Sequence, residues 1–210
     1  MIVLVEPPAP PGFVSGGYRY QERVAAELGA RGAGRLVTAA PAELETTTAR
    51  LRAAGDTVVV DGLFAARGAP LPDGTIALLH AEPAVGWSRA PLHAIATGAP
   101  TAARVRASCR SVAVVRPGLD ACFAPGRPRA CAPDDPIRIV CVGTLSPGKD
   151  QLGLVRALRG VAAPWHLTLL GDHASDPGYS DRVRATAGDL PVTFAGALAV
   201  GDAPATHRRH

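Results

Sequence analysis

The chain has 210 residues, 47% of them hydrophobic and 19% charged, with a formal net charge of +4 and an isoelectric point near 9.2. That composition excludes a mostly disordered chain, and no apolar run approaches the roughly 18 residues that a membrane-crossing helix needs. Nucleic-acid binding is also disfavoured, because the arginines are scattered and aromatic residues, at 4%, are too few to stack bases, so an anionic small ligand is the better-supported partner.

Ile2-Val3-Leu4-Val5 reads as a first strand, and the prolines between Pro7 and Pro11 end it because proline has no N–H to give a ladder. Gly16 and Gly17 come next, then a helix through Val24, Ala25 and Leu28 that stops at Gly29 to Gly32. Strand, glycine pair, helix is an order that suits phosphate, since a helix N-terminus offers free N–H groups and a positive dipole end. A plain turn is the alternative reading of the pair. The spacing is not G-x-G-x-x-G, so a nicotinamide dinucleotide has little support.

Arg35 to Thr38 reads as a second strand, Ala42 to Ala54 as a helix, and Thr57 to Asp61 as a third strand closed by Gly62. A short helix and the turn Pro72-Asp73-Gly74 lead to a fourth strand, Thr75 to Leu79, which ends at His80. This alternation predicts a parallel sheet with helices on both faces, its ligand edge carrying Gly16-Gly17, Asp61 and His80. His80 keeps two readings, a hydrogen-bonded core histidine or a group facing the crevice.

Between Ala81 and Ser108 the residues yield no strand, because Trp87, Pro91, Gly98 and Pro100 interrupt the pattern, and Thr101 to Arg110 supports only a short helix. Ser111 to Arg116 is then the fifth strand, followed by the turn Pro117-Gly118-Leu119-Asp120. The proline-rich stretch 124–136 reads as a linker between an N-terminal domain, 1–123, and a second domain, 137–210.

The second domain repeats the plan. Ile137 to Val142 is a continuous apolar run of the kind found in strands covered on both faces, and Gly143 ends it. The turn through Thr144, Ser146, Pro147 and Gly148 delivers Lys149 to the start of a helix whose Leu152, Val155 and Leu158 share one face. Lys149 is the only lysine in the chain, and its compact ammonium at a phosphate-suited turn points to a diphosphate. His166 to Leu170 is a strand followed by Gly171-Asp172, Asp176 to Ala187 a helix, and Pro191 to Ala195 a third strand, while 201–210 is unpatterned. Cys109, Cys122, Cys131 and Cys141 have neither C-x-x-C spacing nor paired histidines, so reduced thiols are expected and a zinc site is not. With Met1 running straight into a strand, a cytoplasmic protein is expected.

Four stretches together resemble retaining glycosyltransferases of family 4, also called group 1, which have the GT-B architecture. They are SGGYRY at 15–20, LLH at 78–80, VAVVRPGLDACFAPG at 112–126, and VGTLSPGKDQLGLVRAL at 142–158 with the following LTLLGD. The resemblance implies an α/β fold of two Rossmann-like parallel-sheet domains, and transfer of a sugar from a nucleotide diphosphate sugar to an acceptor with retention. It implies that Gly16, Gly17 and Lys149 approach the donor diphosphate and that His80, as the catalytic-site histidine, lies beside the donor sugar. Gly171 would lie near the nucleoside, and Pro117, Gly118 and Asp120 would enter the interdomain hinge. Thr144 stands where many relatives carry an arginine that contacts phosphate.

The chain departs from that pattern in two places. Relatives continue past the third strand of the second domain into a segment with a pair of glutamates that hold sugar and ribose, and this chain has no glutamate beyond Glu82. The region between His80 and Val112 also looks a helix–strand unit short. The expectation is therefore a C-terminally truncated member with an incomplete second domain, whose alternative function is that of an inactive chain with residual nucleotide binding or an interaction role. No metal or other cofactor is expected, the nucleotide sugar being substrate. Peripheral membrane contact and self-association through the exposed edge of the second sheet are the remaining partner classes, and the acceptor is undefined.

Overall fold

The computed structural model describes residues 1–9, 16–83, 86–90, 92–118 and 135–197, and the chain divides into two units, Met1–Gly118 and Leu119–His210. The linker expected at 124–136 lies outside the described residues up to its last two positions, as do Cys122, Cys131 and the stretch 201–210.

In the first unit, β1 (Ile2–Glu6), β2 (Gly34–Thr38), β3 (Thr57–Asp61), β4 (Ile76–Leu79), β5 (His93–Ala96) and β6 (Ser111–Val114) form one sheet. The order is β2-β1-β3-β4-β5-β6 and every pair is parallel. A central parallel strand has no wet face, which is why β1 and β3 are continuous runs of branched apolar residues instead of alternating ones. Val3, Val5, Val58 and Val60 point into one core with Leu44 and Leu51 of α2 (Leu44–Ala53), Phe64 of α3 (Leu63–Ala66) and Val105 of α4 (Ala99–Val105). Leu4, Val59 and Leu78 point the other way, against Ala25 of α1 (Gly16–Ala30). Each such side chain contributes about 1.5–3 kcal/mol by leaving water, so the two faces together hold the sheet flat against its helices.

β5 corrects the sequence reading of 81–108. It lies between β4 and β6, and β6, not a fifth but a sixth strand, ends at Val114. It is the strand absent from the sequence reading, whereas α4 is the short helix expected over 101–110; among the described residues no helix joins β4 to β5. The strand is four residues of the sequence HAIA, so it carries little β propensity of its own. Two open ladders, one on each side, decide its conformation.

In the second unit, β7 (Ile137–Val142), β8 (Trp165–Leu170) and β9 (Val192–Gly196) pair in parallel in the order β7-β8-β9. The helices α5 (Gln151–Leu158) and α6 (Pro177–Ala187) pack on the same side, where Val155, Leu158, Tyr179 and Val183 meet Leu167 and Leu169 of β8. β7 is not covered on both faces as its apolar run suggested. It is an edge strand, and Ile137 and Val142 are 54% and 64% exposed; the strand covered throughout is β8. Among the described residues no helix is long and apolar enough to cross a membrane.

Candidate functional site

The first unit's sheet reverses its winding between β1 and β3, because β2 lies to one side of β1 and β3 to the other. In open parallel sheets this is where a crevice forms beyond the carboxyl ends of the strands. Three titratable side chains sit there: Glu6, the last residue of β1; Asp61, the last residue of β3; and His80, the first after β4.

Asp61 is buried and well supplied with donors. Its Oδ1 accepts from the Leu63 N–H at 2.8 Å, and its Oδ2 accepts from Gln21 Nε2. Burial pushes its carboxyl up, and the Leu63 N–H, His80, the Gln21 amide and Arg67 pull the opposite way without cancelling it. His80 is pushed down by burial, with Asp61 opposing, so the imidazole is biased towards its neutral form. The ring meets that of Tyr20 edge-on, with 5.2 Å between centroids. Glu6 shows the largest effect: burial first, then the charges of Asp61 and Glu22, push its carboxyl from 4.5 up to about 7.

α1 closes this edge. Its Tyr18 Oη donates to the Pro8 carbonyl at 3.4 Å and accepts from Arg67 Nη2 at 3.0 Å, while Arg67 Nη1 reaches the same carbonyl at 2.9 Å. Gly16 and Gly17 open the first turn of α1, so the glycine pair is helical and not a separate loop. Among the described residues, a Cβ on Gly16 would meet nothing within 4 Å.

At the carboxyl edge of the second sheet, two glycines make a close approach. Gly143 follows β7 with φ +150° and Gly171 follows β8 with φ +156°, both beyond the reach of most side-chain-bearing residues. A Cβ on Gly171 would land on the carbonyl group of Gly143. The pair is tied by Gly143 N–H to Leu170 O at 2.8 Å and Leu145 N–H to Asp172 O at 2.8 Å. Buried Gln151 shapes the loop from beneath: its Nε2 donates to Thr144 O at 3.1 Å and its Oε1 accepts from the Ser146 N–H at 3.3 Å. Lys149 is exposed, and its methylene stem runs over Gly143, 3.5 Å from where a Cβ would stand, an ordinary van der Waals separation.

The helix does not start at Lys149. Pro147–Lys149 is a 3-10 turn, Asp150 takes the left-handed conformation at φ +51°, and α5 begins at Gln151. Two first-turn N–H groups of α5 are occupied within the unit, Leu152 by Tyr179 Oη at 3.0 Å and Gly153 by Asp150 Oδ1 at 3.1 Å. What this edge offers an anion is therefore the lysine and the glycine loop more than the helix end. The neighbouring Asp172 is half-buried and its carboxyl is pulled down by the Ser175 hydroxyl and the Ala174 and Ser175 N–H groups. Cys141 lies below the loop, where burial pushes its thiol up and Lys149 opposes.

The structure thus brings Gly16, Gly17, Asp61 and His80 to one edge of the first sheet, and Thr144, Lys149 and Gly171 to one edge of the second. Pro117 and Gly118 are exposed at the end of the first unit, and Asp120 lies outside the described residues. Glu6, Tyr18, Gln21 and Arg67 were missed by sequence reasoning, as was the loop-shaping Gln151. A hint existed in Glu6 and Asp61, each an acid ending an apolar strand. Among the described residues, no group of three or more His, Cys, Asp or Glu is placed to hold a metal ion.

Two parallel α/β units with glycine turns at their carboxyl edges define a Rossmann-like class of protein. The fold is similar to that of a glycosyltransferase from Rickettsia africae ESF-5, at a TM-score of 0.61 and 12% identity, over 94% of this chain and 68% of that one. It is also similar to the apo form of the lipopolysaccharide outer core galactosyltransferase WaaB, at a TM-score of 0.55 and 14% identity, over 100% of this chain and 71% of that one. At such identities the likeness is one of fold. No protein-family model matches the sequence, and no curated protein matches it.

Proposed function

We propose that this chain is a glycosyltransferase that takes a nucleotide diphosphate sugar as donor, of the retaining family 4 type. The single observation that carries the reading is the Gly143–Gly171 loop with Lys149 lying over it. That arrangement lets a bulky anion come close to backbone while one mobile ammonium meets its charge. Likeness of fold to two glycosyltransferases supports it.

In this reading the leaving group dominates the chemistry. Breaking the bond between sugar and diphosphate develops negative charge on the departing oxygens and positive charge on the sugar, so a cation at the diphosphate lowers the barrier. Lys149 supplies that cation, and Thr144 supplies a hydroxyl in place of a guanidinium. The first unit carries an anion-friendly surface of its own in the N-terminal turn at Gly16-Gly17, and an imidazole at His80 that burial biases towards its neutral form. A neutral imidazole can accept a hydrogen bond from a sugar hydroxyl without adding charge that would oppose the developing cation.

The test is UDP and GDP affinity, by calorimetry, in wild type and Lys149→Ala. Loss of one charge-assisted contact predicts roughly tenfold weaker binding, about 1.4 kcal/mol. Equal affinity in both proteins removes the assignment. The alternative reading is nucleotide binding without transfer. Donor hydrolysis or transfer by the purified chain separates the two.

A further inference from the structure

Glu6 is 7% exposed and Asp61 1% exposed, and they end paired neighbouring strands close enough for the Asp61 charge to act on Glu6. Their hydrogen bonding is unequal. Asp61 receives the Leu63 N–H and the Gln21 amide, whereas Glu6 Oε2 has no partner among the described residues. Gln21 Oε1 and His80 Nε2 are likewise buried without one. Two of these three unmet atoms are fixed acceptors, and the third, the imidazole nitrogen, accepts in one of its tautomers. One proton on Glu6 turns an unmet acceptor into a donor, and it spares the edge a second buried charge.

The groups facing Glu6 come from several elements. Asp61 of β3 and Glu22 of α1 oppose its ionisation, and Tyr18 of α1 lies near enough to feel its charge. Behind them, His80 and Arg67 act on Asp61, and Arg67 also holds Tyr18. Among the described residues, the cation of this neighbourhood is thus engaged with Asp61, Tyr18 and the Pro8 carbonyl.

We propose that Glu6 is a buried proton switch: its proton spares the Asp61 edge a second buried charge, and losing it loosens the first two turns of α1. Those turns are held by Tyr18 and Gln21 and carry Gly16 and Gly17. An ionised Glu6 repels Asp61, the carboxylate that holds the Gln21 amide, so that anchor of the helix end is disturbed. The proposal adds pH control to the edge assigned above; its value for a ligand rests on that reading, while the switch rests on first-unit residues alone. A carboxyl pushed up to about 7 puts the transition in the physiological range.

Glutamate occurs at positions 6, 22, 27, 43, 45 and 82, few enough for carboxyl carbon spectra of glutamate-labelled protein to be followed from about pH 4 to about pH 9. One resonance, missing in Glu6→Gln, is expected to titrate near neutrality. The backbone amides of Gly17 to Gln21 are expected to follow the same midpoint in wild type and to stay flat in Glu6→Gln. A Glu6 midpoint below about 5.5, or a midpoint near 7 that the α1 amides ignore, overturns the proposal. Asp61→Asn serves as a second variant if Glu6→Gln does not fold: the Glu6 midpoint should drop by about one unit or more, and an unmoved midpoint overturns the coupling. UDP that binds at no pH counts against the donor reading and leaves the switch standing.

Discussion

Replacing Gly171 with alanine tests the close approach on which the second unit's edge depends. At φ +156° an alanine is in a region that L-residues rarely adopt, which costs about 1–3 kcal/mol. The added methyl would also fall on the Gly143 carbonyl and lie 2.9 Å from Thr144 N. All of these are backbone atoms, so no side chain can swing away. Relief requires the loop to lift from β8, breaking one or both of the 2.8 Å hydrogen bonds at Gly143 N–H and Leu145 N–H, at about 0.5–1.5 kcal/mol each. The sum is about 2–6 kcal/mol. Urea unfolding followed by Trp165, which is buried in this unit, reads it directly once Trp87 of the first unit is changed to phenylalanine. Gly160→Ala is the control, because its Cβ would meet nothing within 4 Å and its φ is not in the left-handed region. If Gly171→Ala falls within about 1 kcal/mol of that control, the loop is plastic and the argument for a rigid glycine approach fails.

Three further outcomes follow from the same geometry. Glu6 has its pKa raised from 4.5 to about 7, so the folded chain binds more protons than the unfolded one between those values, and stability is lost as pH rises through about 7. A shift of that size sets a ceiling of about 3 kcal/mol, so Glu6→Gln should match wild type near pH 4.5, exceed it at pH 8, and flatten the urea-midpoint profile. Asp150 combines a left-handed backbone with a cap on Gly153, two opposing effects. Asp150→Ala should lose about 1–2 kcal/mol because it keeps the strain and drops the cap, whereas Asp150→Gly should be near neutral, both read by thermal unfolding. Tyr179→Phe removes the hydroxyl that accepts from Leu152 N–H and should cost about 1 kcal/mol with unchanged fold by circular dichroism.

Local sequence was enough for elements whose pattern and function in the sheet agree. The branched runs at Val3 to Val5 and Val58 to Val60 belong to strands buried on both faces, and such strands advertise themselves. Asp176 to Ala187 shows its helix because proline and a capping aspartate open it, with Asp176 Oδ1 accepting from Tyr179 N–H at 2.9 Å. His80 could be placed at a strand end for the same reason, since a strand boundary is a local event.

Strand order is not a local event, and what depends on it was decided only by the tertiary structure. β5 is a strand because two neighbours supply ladders for four weakly inclined residues, and β7 is an edge because β8, from later in the chain, took the middle. Glu6 and Asp61 are 55 positions apart in the chain, and only the pairing of β1 with β3 makes them neighbours. The amino-acid sequence by itself determined where backbone turns and apolar faces fall, which is short-range physics. Which charges must share one buried edge, and so which proton is retained there, arises from long-range packing that no single stretch encodes.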